Sequence, residues 1–155
     1  MRSRVAVSLI TAALTALAVA VAVSAQKGST SASAKDSFFA ALAGKNERPK
    51  ADKDGRGSFA ATFDGNQLCY GYTVKNIGDP AAAHIHKGSA GKNGNVVIEL
   101  GTPNSGDPGQ VSDCVSVAGD LRKEILRKPA TFYVNVHNQD FPGGAVRGQL
   151  FAKSP

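Results

Sequence analysis

Apolar and polar residues alternate over residues 57–63, where Phe59, Ala61 and Phe63 share one face. They alternate again over residues 67–74, where Leu68, Tyr70, Tyr72 and Val74 lie opposite Cys69, Gly71 and Thr73. A period of two marks half-buried strands, and Asp64-Gly65-Asn66 between the two runs predicts a hairpin turn. Residues 37–43 form an earlier strand, anchored by Phe38 or Phe39 with Leu42, and Pro49 keeps the turn after it from pairing regularly. Residues 83–86, 96–100, 111–117, 130–137 and 145–152 are further strands, with 77–82 read as a connection. In residues 130–137, Phe132, Val134 and Val136 face one way and Tyr133, Asn135 and His137 the other. Helical spacing occurs over residues 119–128, where Asp120 is placed to cap, Leu121, Ile125 and Leu126 form a face, and Pro129 ends the run. Short strands separated by turn signals predict an all-β fold, an antiparallel β-sandwich or Greek-key barrel with at most one short helix.

The beginning of the chain departs from this pattern. Arg2 and Arg4 precede an apolar run over residues 5–23, and Val23-Ser24-Ala25 is a small-residue cleavage site. Residues 1–25 therefore read as an export signal. A retained membrane anchor is the competing reading, which the Ala-rich composition and Ser8, Thr11 and Thr15 weaken. Residues 26–36, rich in Ser, Ala and Lys, read as a flexible linker, and residues 37–153 as one domain. Export places the two cysteines in an oxidising compartment, where Cys69 and Cys114 are expected to form a disulfide. It closes a loop of about 45 residues, worth about 4 kcal/mol in the chain-entropy account.

Composition removes several functions. The net charge of +6 falls to +4 without Arg2 and Arg4. The basic residues are neither clustered nor interleaved with aromatic readers, so nucleic acid is not an expected partner. Residues 87–95 are rich in Gly and Asn but lack the Gly-Lys-Ser/Thr closure of a phosphate loop. No Gly-x-Ser-x-Gly elbow is present, and paired carboxylates do not stand out, so no catalytic residues are assigned.

All 3 histidines lie in two predicted strands, in Ala83-His84-Ile85-His86-Lys87-Gly88 and in Tyr133-Val134-Asn135-Val136-His137. His84 and His86 share a face, about 6.5 to 7 Å apart at Cα. Two roles fit them. The plainer is structural, with the imidazoles hydrogen-bonding loop carbonyls. The alternative is metal binding: if the strand of His137 neighbours that of His84 and His86, three nitrogens suit zinc or copper, with redox or storage activity. Arg147, on a strand beside two glycines, calls for a carboxylate, and Glu47 is its expected ion-pair partner.

These stretches carry a resemblance. Ala83-His84-Ile85-His86-Lys87-Gly88-Ser89-Ala90-Gly91 resembles the Ala-His-Ile-His-x-Gly-x-x-Gly signature of the CHRD domain, the repeated domain of chordin. Tyr133-Val134-Asn135-Val136-His137 resembles its Tyr-Val-Asn-Val-His strand. The stretch from Pro142-Gly143-Gly144 through Arg147-Gly148-Gln149-Leu150 resembles its ending, and Asn46-Glu47-Arg48-Pro49 an early segment. The resemblance implies an immunoglobulin-like or barrel-like extracellular domain without established catalysis. The expected function is thus a secreted, non-catalytic binding or structural role. Its partner would be a protein or cell-envelope ligand, with no stable membrane insertion after signal cleavage.

Overall fold

The computed structural model describes residues 36–152. The expected signal, residues 1–25, and the expected linker up to residue 35 lie outside the described residues.

Two-residue alternation becomes one antiparallel sheet. Strand β1 (Ser37–Ala43) is followed by a 3-10 turn (Gly44–Asn46), then by the hairpin of β2 (Arg56–Asp64) and β3 (Gln67–Lys75). Gly65, with φ of 57°, takes the left-handed conformation this two-residue turn demands. The chain continues as β4 (Pro80–Lys87), β5 (Asn95–Leu100), β6 (Gly109–Ser116), helix α1 (Gly119–Arg127) and β7 (Phe132–Asn138). It ends in β8 (Val146–Gln149) and β9 (Phe151–Ala152). Spatial order is β5-β4-β7-β8-β1-β2-β3-β6, with β9 also paired to β1. The sheet curls into a nearly closed barrel whose end strands are β5 and β6. The tyrosine hydroxyls of β3 reach across the gap: Gly101 N–H donates to Tyr70 Oη at 2.7 Å, and Tyr72 Oη donates to the Gly101 carbonyl at 2.5 Å.

One apolar cluster fills the interior, from Phe38, Phe59, Phe63, Leu68 and Tyr70 to Ile85, Phe132, Val134 and Val136. Phe38 rather than Phe39 is the core anchor of β1, while Phe39 packs on the exposed Phe151. Ile125 plugs α1 into the same cluster. Among the described residues no helix is long and apolar enough to cross a membrane.

Three local expectations change. Strand β4 begins at Pro80, inside the expected connection, because a proline is tolerated at the first residue of a strand. Asp120 does not cap α1: the N-cap position is Ala118, and Asp120 sits in the first turn and pairs with Lys123 at 3.3 Å. An acid there still complements the helix dipole. The last strand breaks at Leu150, whose N–H turns to the Phe132 carbonyl, so the chain passes from β7 to β1.

The sheet is two-sided in the region β4-β7-β8. Its inner face is the core. Its outer face carries the buried polar residues His86, Asn135 and Arg147, covered by the segments around Glu47, residues 88–94 and the turn before β8. Tyr133 and Asn135 are each 2% exposed although they point away from the core. This polar layer holds the candidate site.

Candidate metal centre

Strands β4 and β7 are antiparallel neighbours, with His84 opposite Asn135 and Ala82 opposite His137. That pairing supplies the condition the sequence left open. One nitrogen from each of His84, His86 and His137 lies within 4.8 Å of the others. His84 Nδ1 and His137 Nε2 are 3.0 Å apart.

The opposite nitrogen of each ring meets an oxygen. His84 Nε2 is 2.9 Å from Glu99 Oε2, on the adjoining strand β5. His86 Nδ1 donates to the Gly94 carbonyl at 2.8 Å, and His137 Nδ1 to the Pro142 carbonyl at 2.9 Å. A carbonyl or carboxylate only accepts, so each of these nitrogens carries the proton. The nitrogens left over, His84 Nδ1, His86 Nε2 and His137 Nε2, then present lone pairs. His86 Nε2 is buried and has no hydrogen-bond partner. The 3.0 Å approach of His84 to His137 is reconciled in two ways: a second proton makes His84 an imidazolium, or a cation takes the place of that proton. Metal-binding histidines characteristically use their outer N–H in this manner, on a carboxylate or backbone carbonyl.

Electrostatics favour neutral rings at two positions. Burial holds His86 and His137 below the usual histidine range; the Gly94 and Pro142 carbonyls oppose the shift, and the neighbouring imidazoles add to it. Neutral imidazole is the ligand form. His86 is further fixed by stacking on Tyr133, with centroids 4.7 Å apart and planes 3° from parallel. Its ring centroid lies 5.4 and 6.3 Å from those of His84 and His137, which are 4.8 Å from each other. His86 is therefore the ring that would have to close inward for the three nitrogens to reach one ion at about 2.0–2.1 Å.

Glu47 and Arg147 are both 2% exposed, and each feels the other's charge, but they make no direct ion pair. The expected contact is corrected by the fate of the guanidinium. It lies 3.3 Å over the Tyr133 ring, and it donates to Asn93 Oδ1 at 3.0 Å and to the Lys92 carbonyl. Arg147 thus clamps the loop that carries Gly94, and Asn46 Nδ2 donates to its own carbonyl at 3.0 Å. Glu47 faces Asn135 instead, and its Oε1 has no hydrogen-bond partner. Desolvation pushes its carboxyl up to about 7, with Arg147 and the Asn135 amide opposing.

The cysteines stand directly opposite each other in β3 and β6 and form the Cys69–Cys114 disulfide, away from the histidines. Sequence reasoning missed Glu99 and the orienting carbonyls of Gly94 and Pro142. Glu99 follows the alternation of β5 onto the polar side, but only strand neighbourhood puts it beside His84. Asn135 and Tyr133 were placed on the right face by parity, without a role.

No curated protein matches the chain. A family model for the CHRD domain matches residues 38–150, which takes in every histidine, both cysteines, Glu47 and Arg147. The match spans most of the chain and coincides with the curled sheet described above, and on it the chain belongs to the CHRD domain family.

Proposed function

We propose that this chain is an exported, non-catalytic CHRD domain that binds a divalent transition metal, zinc or copper, through His84, His86 and His137. The observation that carries the reading is the inward set of three lone pairs, each fixed by an oxygen on the far side of its ring. Export is supported by the apolar leader of the sequence and by a disulfide that needs an oxidising compartment.

A second reading has its own support. The same histidines tie down two loops, through Gly94 and Pro142, and a purely structural role uses those bonds alone. Calorimetry separates the two. The oxidised, chelator-stripped chain is titrated with zinc and with copper(II), beside a His84→Ala/His86→Ala variant. One ion per chain, lost in the variant, is the expected result. Equal weak binding by both proteins would leave the histidines as loop clamps.

A further inference from the structure

Asn135 occupies the centre of the polar layer. It lies opposite His84 in the β4–β7 pairing, and its Oδ1 is 3.1 Å from His137 Nε2. That nitrogen has no proton to offer, because the ring's N–H is committed to the Pro142 carbonyl. Two acceptors therefore face each other at hydrogen-bond distance. The other end of the amide, Nδ2, lies on the side of the Glu47 carboxyl, and both groups face Gly144. Glycine at position 144 leaves the room for both groups. A Cβ there would fall 2.3 Å from Glu47 Oε1 and 2.8 Å from Asn135 Nδ2. The amide is 2% exposed, with its oxygen toward the histidines.

A cation resolves the conflict. Ligands about 2.0–2.1 Å from one ion stand roughly 2.9 Å apart at a right angle and about 3.4 Å apart in a tetrahedron. The observed 3.0 Å from His137 Nε2 to His84 Nδ1 and 3.1 Å to Asn135 Oδ1 both fall in that interval.

We infer that Asn135 Oδ1 is the fourth ligand, so that His84, His86, His137 and Asn135 close a protein-only shell around the ion. The inference rests on the three-histidine reading above and deepens it. Two consequences follow for the chemistry of the site. A set of three imidazoles and one amide oxygen, without sulfur, takes zinc(II) or copper(II) in preference to copper(I). Four protein ligands in a tetrahedron leave no exchangeable position for a substrate or water, which is the pattern of a structural rather than a catalytic zinc site.

The test uses the oxidised chain in four forms: unsubstituted, Asn135→Ala, Asn135→Asp and His86→Ala. Thermal melting in chelator first checks that each folds, and zinc is then titrated into each. Asn135→Ala should bind at least 10-fold more weakly, the lower end of the roughly 10- to 100-fold that even an outer-shell partner contributes. Asn135→Asp, which keeps an oxygen in place, should bind at least as tightly as the unsubstituted chain. If Asn135→Ala matches the unsubstituted chain while His86→Ala loses the ion, the fourth ligand is wrong and the three-histidine site stands. If the unsubstituted chain binds no zinc, both fail. A second measurement needs no variant at Asn135. Cobalt(II) is loaded into the unsubstituted chain and azide is added. Unchanged visible bands support the closed shell, and an azide-dependent shift overturns it.

Discussion

Replacing Glu47 by Gln removes a buried titratable group without removing its bulk. The carboxyl is 2% exposed, its Oε1 has no hydrogen-bond partner, and burial raises it from 4.5 to about 7 against the opposing charge of Arg147. The folded state thus prefers the protonated acid. Stability from this group is complete below about pH 4.5 and is lost as the pH rises to about 7, where the folded protein must hold a carboxylate it solvates poorly. The displacement corresponds to about 3 kcal/mol as an order of magnitude. Urea denaturation of both proteins in chelator, from pH 4 to pH 8, measures it. The stability of Glu47→Gln minus that of the unsubstituted chain should rise by about 3 kcal/mol across this range and level off above pH 7. His86 and His137, held low by burial, make the folded state more stable as the pH rises, but they do so in both proteins and cancel in the difference. Any pH-independent effect of the new amide shifts the difference curve without tilting it. A flat difference, or one that falls with pH, would refute the argument that desolvation outweighs Arg147 at this carboxyl.

Three further outcomes are expected. Glu99→Gln should weaken zinc binding roughly 10-fold in calorimetry, because the carboxylate on His84 Nε2 sets the tautomer that points Nδ1 inward. An unchanged affinity would show that His84 is oriented without it. Cys69→Ser/Cys114→Ser should lose about 4 kcal/mol in urea denaturation for a sequence separation of 45, with zinc affinity preserved because the bridge lies on β3 and β6. Arg147→Lys should cost about 2–3 kcal/mol, since a lysine lacks the planar fork that covers Tyr133 and holds Asn93 and the Lys92 carbonyl. A loss below about 0.5 kcal/mol would count against a clamp at this position.

The strands were legible because their information is local. Phe59, Ala61 and Phe63, or Phe132, Val134 and Val136, declare their buried face by period two alone, and every such face lies in the core. Element ends were less legible. The capping position fell to Ala118 rather than Asp120, and β4 reached back to Pro80, because both depend on how the neighbouring chain packs. Arg147 shows the same limit in the site. A buried guanidinium needs acceptors, which residue type alone announces, but the acceptors came from a loop more than fifty residues earlier in the chain. Glu47 arrived nearby, close enough to feel the charge and too far to pair.

What the sequence by itself determined is which side of each strand is polar, and with it the alignment of His84 with His86 and of Asn135 with His137. Parity follows from the geometry of an extended backbone and needs no knowledge of neighbours. The motifs at those positions also determined the family. Only the tertiary structure decided that β4 lies between β5 and β7, which brings Glu99, His84 and His137 into line. It alone decided that loops cover the polar face, so that Asn135, His86 and Glu47 are desolvated together. Strand neighbourhood and loop cover are settled by the packing of the whole barrel, and no stretch of sequence contains them.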